Sequence, residues 1–352
     1  MKAFVTGSTG LLGNNLARLL LSQGHKVKAL ARSSEKAQRV LGDAEAEIVS
    51  GDMADVGGFA DSLHDCDVLF HGAAYFREYY QAGDHWPILQ AINVDATIGL
   101  LKAAEVRGVK KAIFVSSGGL IGHKSGGAPG DETTPPSPLA YQNLYIKSKM
   151  LAEEAIQDFL KTHSLPVALI LPGWMFGPYD AAPTDSGRLV LDFLAGKLPG
   201  IIEGGSTVVD ARDVAQAMVA AVERGQSGRR YIVAGEFQSI ESIVHTLAQI
   251  SGRPAPKLRI PYPVVLTMAW ISETVAKLLK RSTLMTVNGV RTMRAGRALS
   301  SERAKGELGI TFRPFAETLR DEVEWFQQSH STFPDGSVQN RTSLSESEHQ
   351  IS

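Results

Sequence analysis

The chain has 352 residues, 43% of them hydrophobic and 21% charged, with 34 glycines. These proportions exclude a disordered, collagen-like or disulfide-scaffold chain, and the length suits two domains or one large α/β unit. Lys and Arg number 36 against 37 Asp and Glu, a formal charge of −1, so no global field draws nucleic acid; the single cysteine, Cys66, excludes an intramolecular disulfide or a multi-cysteine zinc site and fits a reducing compartment.

Residues 2–5 read as a strand and 11–23 as a helix, with Leu12, Leu16, Leu19 and Leu20 on one face and Gly24 as its stop. The pattern continues with strand 27–31, helix 33–41, strands 47–50 and 68–71, helix 91–107, strand 111–116, helix 138–163 and strand 166–171. Strands apolar nearly throughout, alternating with helices, predict a parallel sheet covered on both faces. Beyond Pro172 the rhythm loosens. Gly- and Pro-rich text from 173 to 207 predicts loops around a helix at 189–194. An amphipathic helix at 211–224, a strand at 230–234 and helices at 240–251, 263–281 and 315–328 follow. Residues 329–352, rich in Ser, Asn, Gln and Glu, are expected to form a disordered tail. The first ten residues hold no apolar h-region and no stretch reaches the ~18 apolar residues of a spanning helix, so a cytoplasmic chain is expected.

The first strand runs directly into Thr6-Gly7-Ser8-Thr9-Gly10-Leu11-Leu12-Gly13, which opens the first helix. A pyrophosphate needs a glycine where the backbone turns, a second where it comes close and a third where helix meets sheet. The helix N-terminus then offers unpaired N–H groups. Strand, glycine turn and helix at the start of a βαβ unit predict a dinucleotide site with contacts from Gly7, Thr9, Gly10, Leu11, Leu12 and Gly13.

This Gly-x-x-Gly-x-x-Gly spacing after Thr6 resembles the extended short-chain dehydrogenase/reductase superfamily. The resemblance implies an α/β fold: a Rossmann doubly wound parallel sheet over 1–175, rejoined by 206–235. A smaller, mostly helical C-terminal substrate domain would come from 176–205 and 236–328. Arg32 stands where an acid would bind the ribose 2′-OH of NAD, and Ser33, Ser34 and Lys36 follow it. A guanidinium there accommodates the 2′-phosphate, so NADP(H) is preferred, with NAD(H) as the other candidate. By the same resemblance Asp52 and Met53 flank the adenine, and Ala73 and Pro172 border the cofactor.

Tyr145 and Lys149 lie four apart on a predicted helix and share a face. A free phenol, with a pKa of about 10, carries protons poorly near neutrality, and a neighbouring ammonium lowers that value. Tyr145 can then exchange a proton with a carbonyl or alcohol oxygen, while both residues also touch the cofactor. Tyr141 is the competing tyrosine; its +4 partner is no lysine, so it is expected to pack or to wall the substrate. The text Val115-Ser116-Ser117-Gly118-Gly119-Leu120-Ile121-Gly122 resembles the family's Ser-Ser-x-x-x-x-Gly segment, which makes Ser117 the serine that contacts substrate. Asn93 matches a helix position the family uses for a supporting hydrogen bond; a helix-interior asparagine bonded to backbone reads equally well. No histidine spacing points to a metal.

Sugar-nucleotide members usually carry Arg-Pro-Gly-Asn-like text after the sixth strand and an arginine before a later strand–helix junction, both for the substrate diphosphate. Here Leu171-Pro172-Gly173-Trp174 and Ser206-Thr207-Val208-Val209 occupy those places. Tyr75, Tyr141, Trp174, Met175 and Phe176, with Phe76, Tyr79 and Tyr80, are candidates for an apolar substrate wall, and core packing is the other reading for about half of them. The pattern is most similar to the dihydroflavonol-4-reductase type. That implies NADPH-dependent reduction of a carbonyl on a hydrophobic small molecule, or the reverse oxidation. The alternatives are a sugar epimerase or dehydratase, and a non-catalytic NADP-binding sensor or scaffold. A homodimer through the 91–107 and 138–163 helices is the family's expectation. The apolar 263–281 helix and the basic residues from Lys277 to Arg297 match either a membrane surface or a substrate-domain helix with a solvated rim, and the second is preferred.

Overall fold

A computed structural model of the chain describes residues 1–76, 84–279, 286–296 and 298–332. In chain order the first elements are β1 (Lys2–Thr6), α1 (Leu11–Ser22), β2 (Lys26–Ala31), α2 (Ser34–Leu41), β3 (Glu47–Ser50) and β4 (Val68–His71). They are followed by α3 (Trp86–Gln90), α4 (Ala96–Val106), β5 (Lys111–Val115), α5 (Pro138–Gln142), α6 (Leu144–Phe159), β6 (Val167–Pro172) and β7 (Trp174–Phe176). Then come α7 (Asp185–Leu194), β8 (Ile201–Ile202), β9 (Gly205–Asp210), α8 (Ala211–Arg224), β10 (Arg230–Val233) and β11 (Phe237–Ser239). The last are α9 (Ile240–Ser251), β12 (Arg259–Ile260), α10 (Tyr262–Leu279), α11 (Val287–Ala295) and α12 (Phe315–Thr332).

Seven strands form one parallel sheet in the order β10-β6-β5-β4-β1-β2-β3. Side chains alternate across it with the period of two that a strand imposes. Ala3, Val5, Ile113, Val115, Ala168 and Ile170 enter one core layer with α1 and α8. Phe4, Ala112, Phe114, Val167, Leu169 and Leu171 enter the other, with α4 and α6. The parallel sheet covered on both faces that the apolar strands predict is therefore present, with the doubly wound order that the resemblance implies. The order reverses at β1, which lies between β2 and β4, and ligands of such sheets bind at the strand carboxyl ends beside that point.

Three departures from the sequence reading have local causes. The helix expected over 138–163 breaks at Asn143, whose backbone is extended and whose side chain accepts from Ile146 N as the N-cap of α6. An asparagine that bonds its own backbone this way competes with helix continuation. The helix expected over 91–107 begins earlier, at Trp86, and passes through a π-helical turn at Ala91–Asp95. The loops expected between 173 and 207 include β7 and the start of β9; β9 pairs with β7 and with β11 in a three-stranded sheet. Within the segment 206–235, β10 joins β6 of the main sheet, whereas β9 does not.

A third core, with Phe176, Val190, Phe193, Val208, Ile243 and Phe315, gathers β7, α7, β9, α9 and α12. Helix α12 continues to Thr332, four residues into the segment expected to be a tail; residues 333–352 lie outside the described residues. Among the described residues, no helix is long and apolar enough to cross a membrane.

Candidate active site

The carboxyl ends of β1 and β4 touch through backbone. Gly7 has φ +73°, and a Cβ on it would lie 2.8 Å from Gly72 C and from Ala73 N. A Cβ on Gly13 would lie 2.1 Å from Gly7 O, so the turn is drawn hard against the first turn of α1. Gly10 is the N-cap of α1; it supplies no side-chain cap, and the first turn carries no acid. Unpaired N–H groups and the positive end of the helix dipole therefore meet whatever lies there, which fits a pyrophosphate. Leu11 and Leu12 are buried behind the turn. Ser8 Oγ donates to Leu30 O at 2.8 Å and ties the turn to the end of β2. Arg32 follows that strand on the surface, and Ser33 is committed as the N-cap of α2, accepting from Lys36 N. Asp52 Oδ1 accepts from Ala54 N at 2.9 Å, and Met53 is buried in the same core layer as Phe4 and Phe59, so packing occupies it.

A buried hydrogen-bond chain fixes the floor of the site. Thr6 Oγ1 lies 2.7 Å from His71 Nδ1 and accepts from Ala73 N. His71 Nε2 lies 2.9 Å from Thr97 Oγ1, and that hydroxyl donates to Asn93 O. Thr97 donates to Asn93 O and so accepts from Nε2–H, which puts the proton of a neutral His71 on Nε2 and makes Thr6 Oγ1 the donor to Nδ1. Burial, aided by the Lys149 charge, pushes the His71 pKa down to about 3, which keeps the ring neutral. The Asn93 side chain accepts from Tyr75 N at 2.7 Å and donates to Ser148 Oγ at 2.9 Å. The π-helical turn carries Asn93 to this buried place, where it clamps the segment after β4 to α6. It supports the site without facing solvent.

The three candidate catalytic groups converge at the end of β5. Lys149 Nζ donates to Val115 O at 2.9 Å and lies 5.9 Å from the centre of the Tyr145 ring. Two residues past Val115, Ser117 caps a short 3₁₀ turn by accepting from Gly119 N. A Cβ on Gly119 would meet Ile146 Cδ1 at 2.4 Å, so that turn lies directly on α6 beside Tyr145. Phe76 covers the Tyr145 ring at 4.6 Å between centroids. Burial pushes the Tyr145 phenol up, so it holds its proton at neutral pH. Burial also brings Lys149 down to about 8, with Glu153, one turn along α6, opposing. Tyr145 and Lys149 thus share the face of α6 that the sequence placed them on.

The substrate-wall candidates separate. Because the chain breaks at Asn143, Tyr141 sits on α5, 58% exposed, and does not share the Tyr145 face. Phe176 is a core residue rather than a wall: it is fully buried, with Trp174 at 4.8 Å and Phe315 at 5.1 Å edge-on. Met175, on the other face of β7, packs against the first core layer. Trp174 and Tyr75 are only partly buried, and the Tyr75 hydroxyl pairs with His85 Nδ1 at 2.8 Å. Pro172 ends β6, buried against Gly118. Tyr79 and Tyr80 lie outside the described residues. Phe176→Ala should therefore cost about 3–5 kcal/mol of stability in chemical denaturation, the price of a large core cavity.

Sequence reasoning does not single out Thr6, His71, Thr97 or Ser148 as site residues. The one available signal was a histidine ending an otherwise apolar strand. The Arg212 and Arg313 guanidinia near the later junction are held in ion pairs, Arg212 with Asp210 and Asp321, Arg313 with Asp213.

Comparison with known proteins agrees with this geometry. A protein of Synechocystis assigned as a dihydroflavonol 4-reductase is 33% identical over 92% of this chain and 94% of its own. Sterol demethylase protein B of Methylococcus capsulatus is 30% identical over 93% of this chain and 99% of its own. The crystal structure of gox2253 superposes with a TM-score of 0.78 at 31% identity, covering 93% of this chain and 98% of that one. The model of the NAD-dependent epimerase/dehydratase family matches residues 3–234. With the family model over residues 3–234 and a relative at 33% identity, the chain belongs to the NAD-dependent epimerase/dehydratase family.

Proposed function

We propose that this chain is an NADP(H)-dependent reductase of a carbonyl on an apolar small molecule, or, in reverse, a dehydrogenase that oxidises the corresponding alcohol with NADP+ as hydride acceptor. The observation that carries the reading is the approach of Tyr145, Lys149 and Ser117 at the end of β5. The glycine turn would hold a nicotinamide dinucleotide, which would supply the hydride. Tyr145, a neutral phenol, gives its proton to the substrate oxygen as charge develops there. The Ser117 hydroxyl orients that oxygen and stabilises the same charge. Lys149 spends one N–H on Val115 O and keeps two donors for the cofactor side of the site.

The residues at the end of β6 and just beyond it support the substrate class. Leu171 is fully buried and Trp174 packs against Phe176, where diphosphate-binding relatives carry Arg and Asn. An anionic diphosphate would lose its charge-assisted donors there. The relatives' names, a dihydroflavonol reductase and a sterol demethylase protein, support an apolar substrate. The family name favours a second reading, epimerisation or dehydration of a nucleotide sugar.

Incubation with NADPH and a panel of aldehydes and ketones should consume NADPH. Epimerised UDP-glucose with no net cofactor change would overturn the reading. Arg32→Asp should raise the KM for NADPH about 10- to 100-fold, the worth of a charge-assisted bond, with little effect on NADH. An unchanged NADPH KM would remove Arg32 from the 2′-phosphate.

A further inference from the structure

Helix α10 is apolar on the side that faces away from the protein. Val264, Met268, Ile271, Val275 and Leu279 follow the i, i+4, i+7 spacing of one face, and each is between 38% and 59% exposed. The stripe borders a seam that is already packed: Val265 and Ala269 are buried against Val290 of α11. Trp270, 62% exposed, lies on a separate part of the same helix. A monomeric protein rarely leaves a contiguous apolar face of this kind in water. The reading preferred from sequence, a packed helix with a solvated rim, does not account for it.

Charge identifies the occupant. From residue 253 to 297 the sequence carries nine Lys or Arg and one acid, Glu273, in a chain whose totals are 36 and 37. The remainder is therefore strongly acidic, and the basic residues are concentrated in the segment that presents the apolar stripe. Arg253, Lys257 and Arg259 precede α10 and are exposed, as is Arg291 on α11. An exposed apolar stripe, an exposed tryptophan on the same helix and an excess of cations in the same segment, of which Arg259 pairs with Glu241, have the composition of a helix lying in a bilayer interface. Helix α10 is not long and apolar enough to span. We propose that the α10–α11 face docks in the plane of an anionic lipid surface, with the stripe among the acyl chains and the basic residues at the headgroups. This stands apart from the carbonyl-reductase reading, because docking requires no turnover.

Flotation of the full chain with vesicles tests it. Vesicles of phosphatidylcholine with phosphatidylglycerol should carry the protein up the gradient, and pure phosphatidylcholine vesicles should not. Raising the salt concentration should release it. Ile271→Asp should abolish flotation, while Lys257→Gln and Arg291→Gln should each weaken it about fivefold. All three sites are exposed, and unchanged thermal stabilisation by NADPH reports that each variant is folded. No flotation with the anionic vesicles would overturn the proposal, as would equal flotation with both compositions. So would sedimentation as a dimer that Ile271→Asp converts to a monomer, since a second copy would then be the occupant.

Discussion

Tyr145→Phe should lower kcat for carbonyl reduction about a thousandfold and leave the thermal shift induced by NADPH unchanged. The substitution removes one oxygen and keeps the ring that packs at 4.6 Å against Phe76. Fold and cofactor site are thus spared, and only the proton is lost. A fall in stability or in cofactor affinity of the same size would show that the hydroxyl serves structure instead. The pH profile gives a second readout. Lys149 sits at about 8, lowered by burial, and below that value both Lys149 and Tyr145 hold their protons. Reduction should be level up to about 8 and fall above it as Lys149 loses its charge. The sign for stability is opposite: a lysine whose folded pKa is depressed binds its proton more readily unfolded, so stability rises between about 8 and the ordinary lysine range. A Lys149→Met variant should lose both features.

Periodicity revealed the sheet because its strands are buried on both faces, so nearly every position is apolar and short runs such as Val68–His71 stand out. The glycine turn was legible for a related reason. Gly7 and Gly13 lie where backbone meets backbone, and only one residue type fits. What stayed hidden depends on partners distant in sequence. Asn93 reaches Ser148 across 55 positions, and His71 finds Thr6 across 65. Neither spacing has a period, so neither leaves a pattern. Asn143 illustrates a different limit: its helical neighbours argue for continuation, and only its bond to Ile146 N shows that the cap prevails. That break separates the two tyrosines, since it leaves Tyr141 exposed on α5 and starts α6 at the turn that carries Tyr145. Strand β7 was missed for want of length. Its three residues do not establish an alternation, although Trp174 and Phe176 do share a face.

Gly13→Ala should abolish cofactor binding and destabilise the chain, because the added methyl would lie 2.1 Å from Gly7 O and 2.8 Å from Ser8 Cα. Neither atom belongs to a flexible side chain, so the turn or α1 itself must move. Moving the turn breaks the Ser8 bond to Leu30 O and the contact of Gly7 with Gly72, the two links that hold the glycine turn to β2 and β4. Moving α1 pulls Leu16 and Leu20 out of the first core layer, an overpacking cost of about 1–3 kcal/mol. Two control substitutions separate these effects. Gly24 also has positive φ, +76°, but a methyl there meets open space, so Gly24→Ala should cost about 1 kcal/mol of backbone strain and leave NADPH binding intact. Gly10→Ala places its methyl 3.4 Å from Gly7 O, a contact the turn tolerates, and adds it at the N-cap where the phosphates approach. It should keep most of the stability and weaken NADPH binding about tenfold, the loss expected when close backbone approach is obstructed. Calorimetric titration with NADPH on the three variants separates the outcomes. Equal binding by Gly13→Ala and wild type would mean that the turn is a structural corner and that the dinucleotide is held elsewhere.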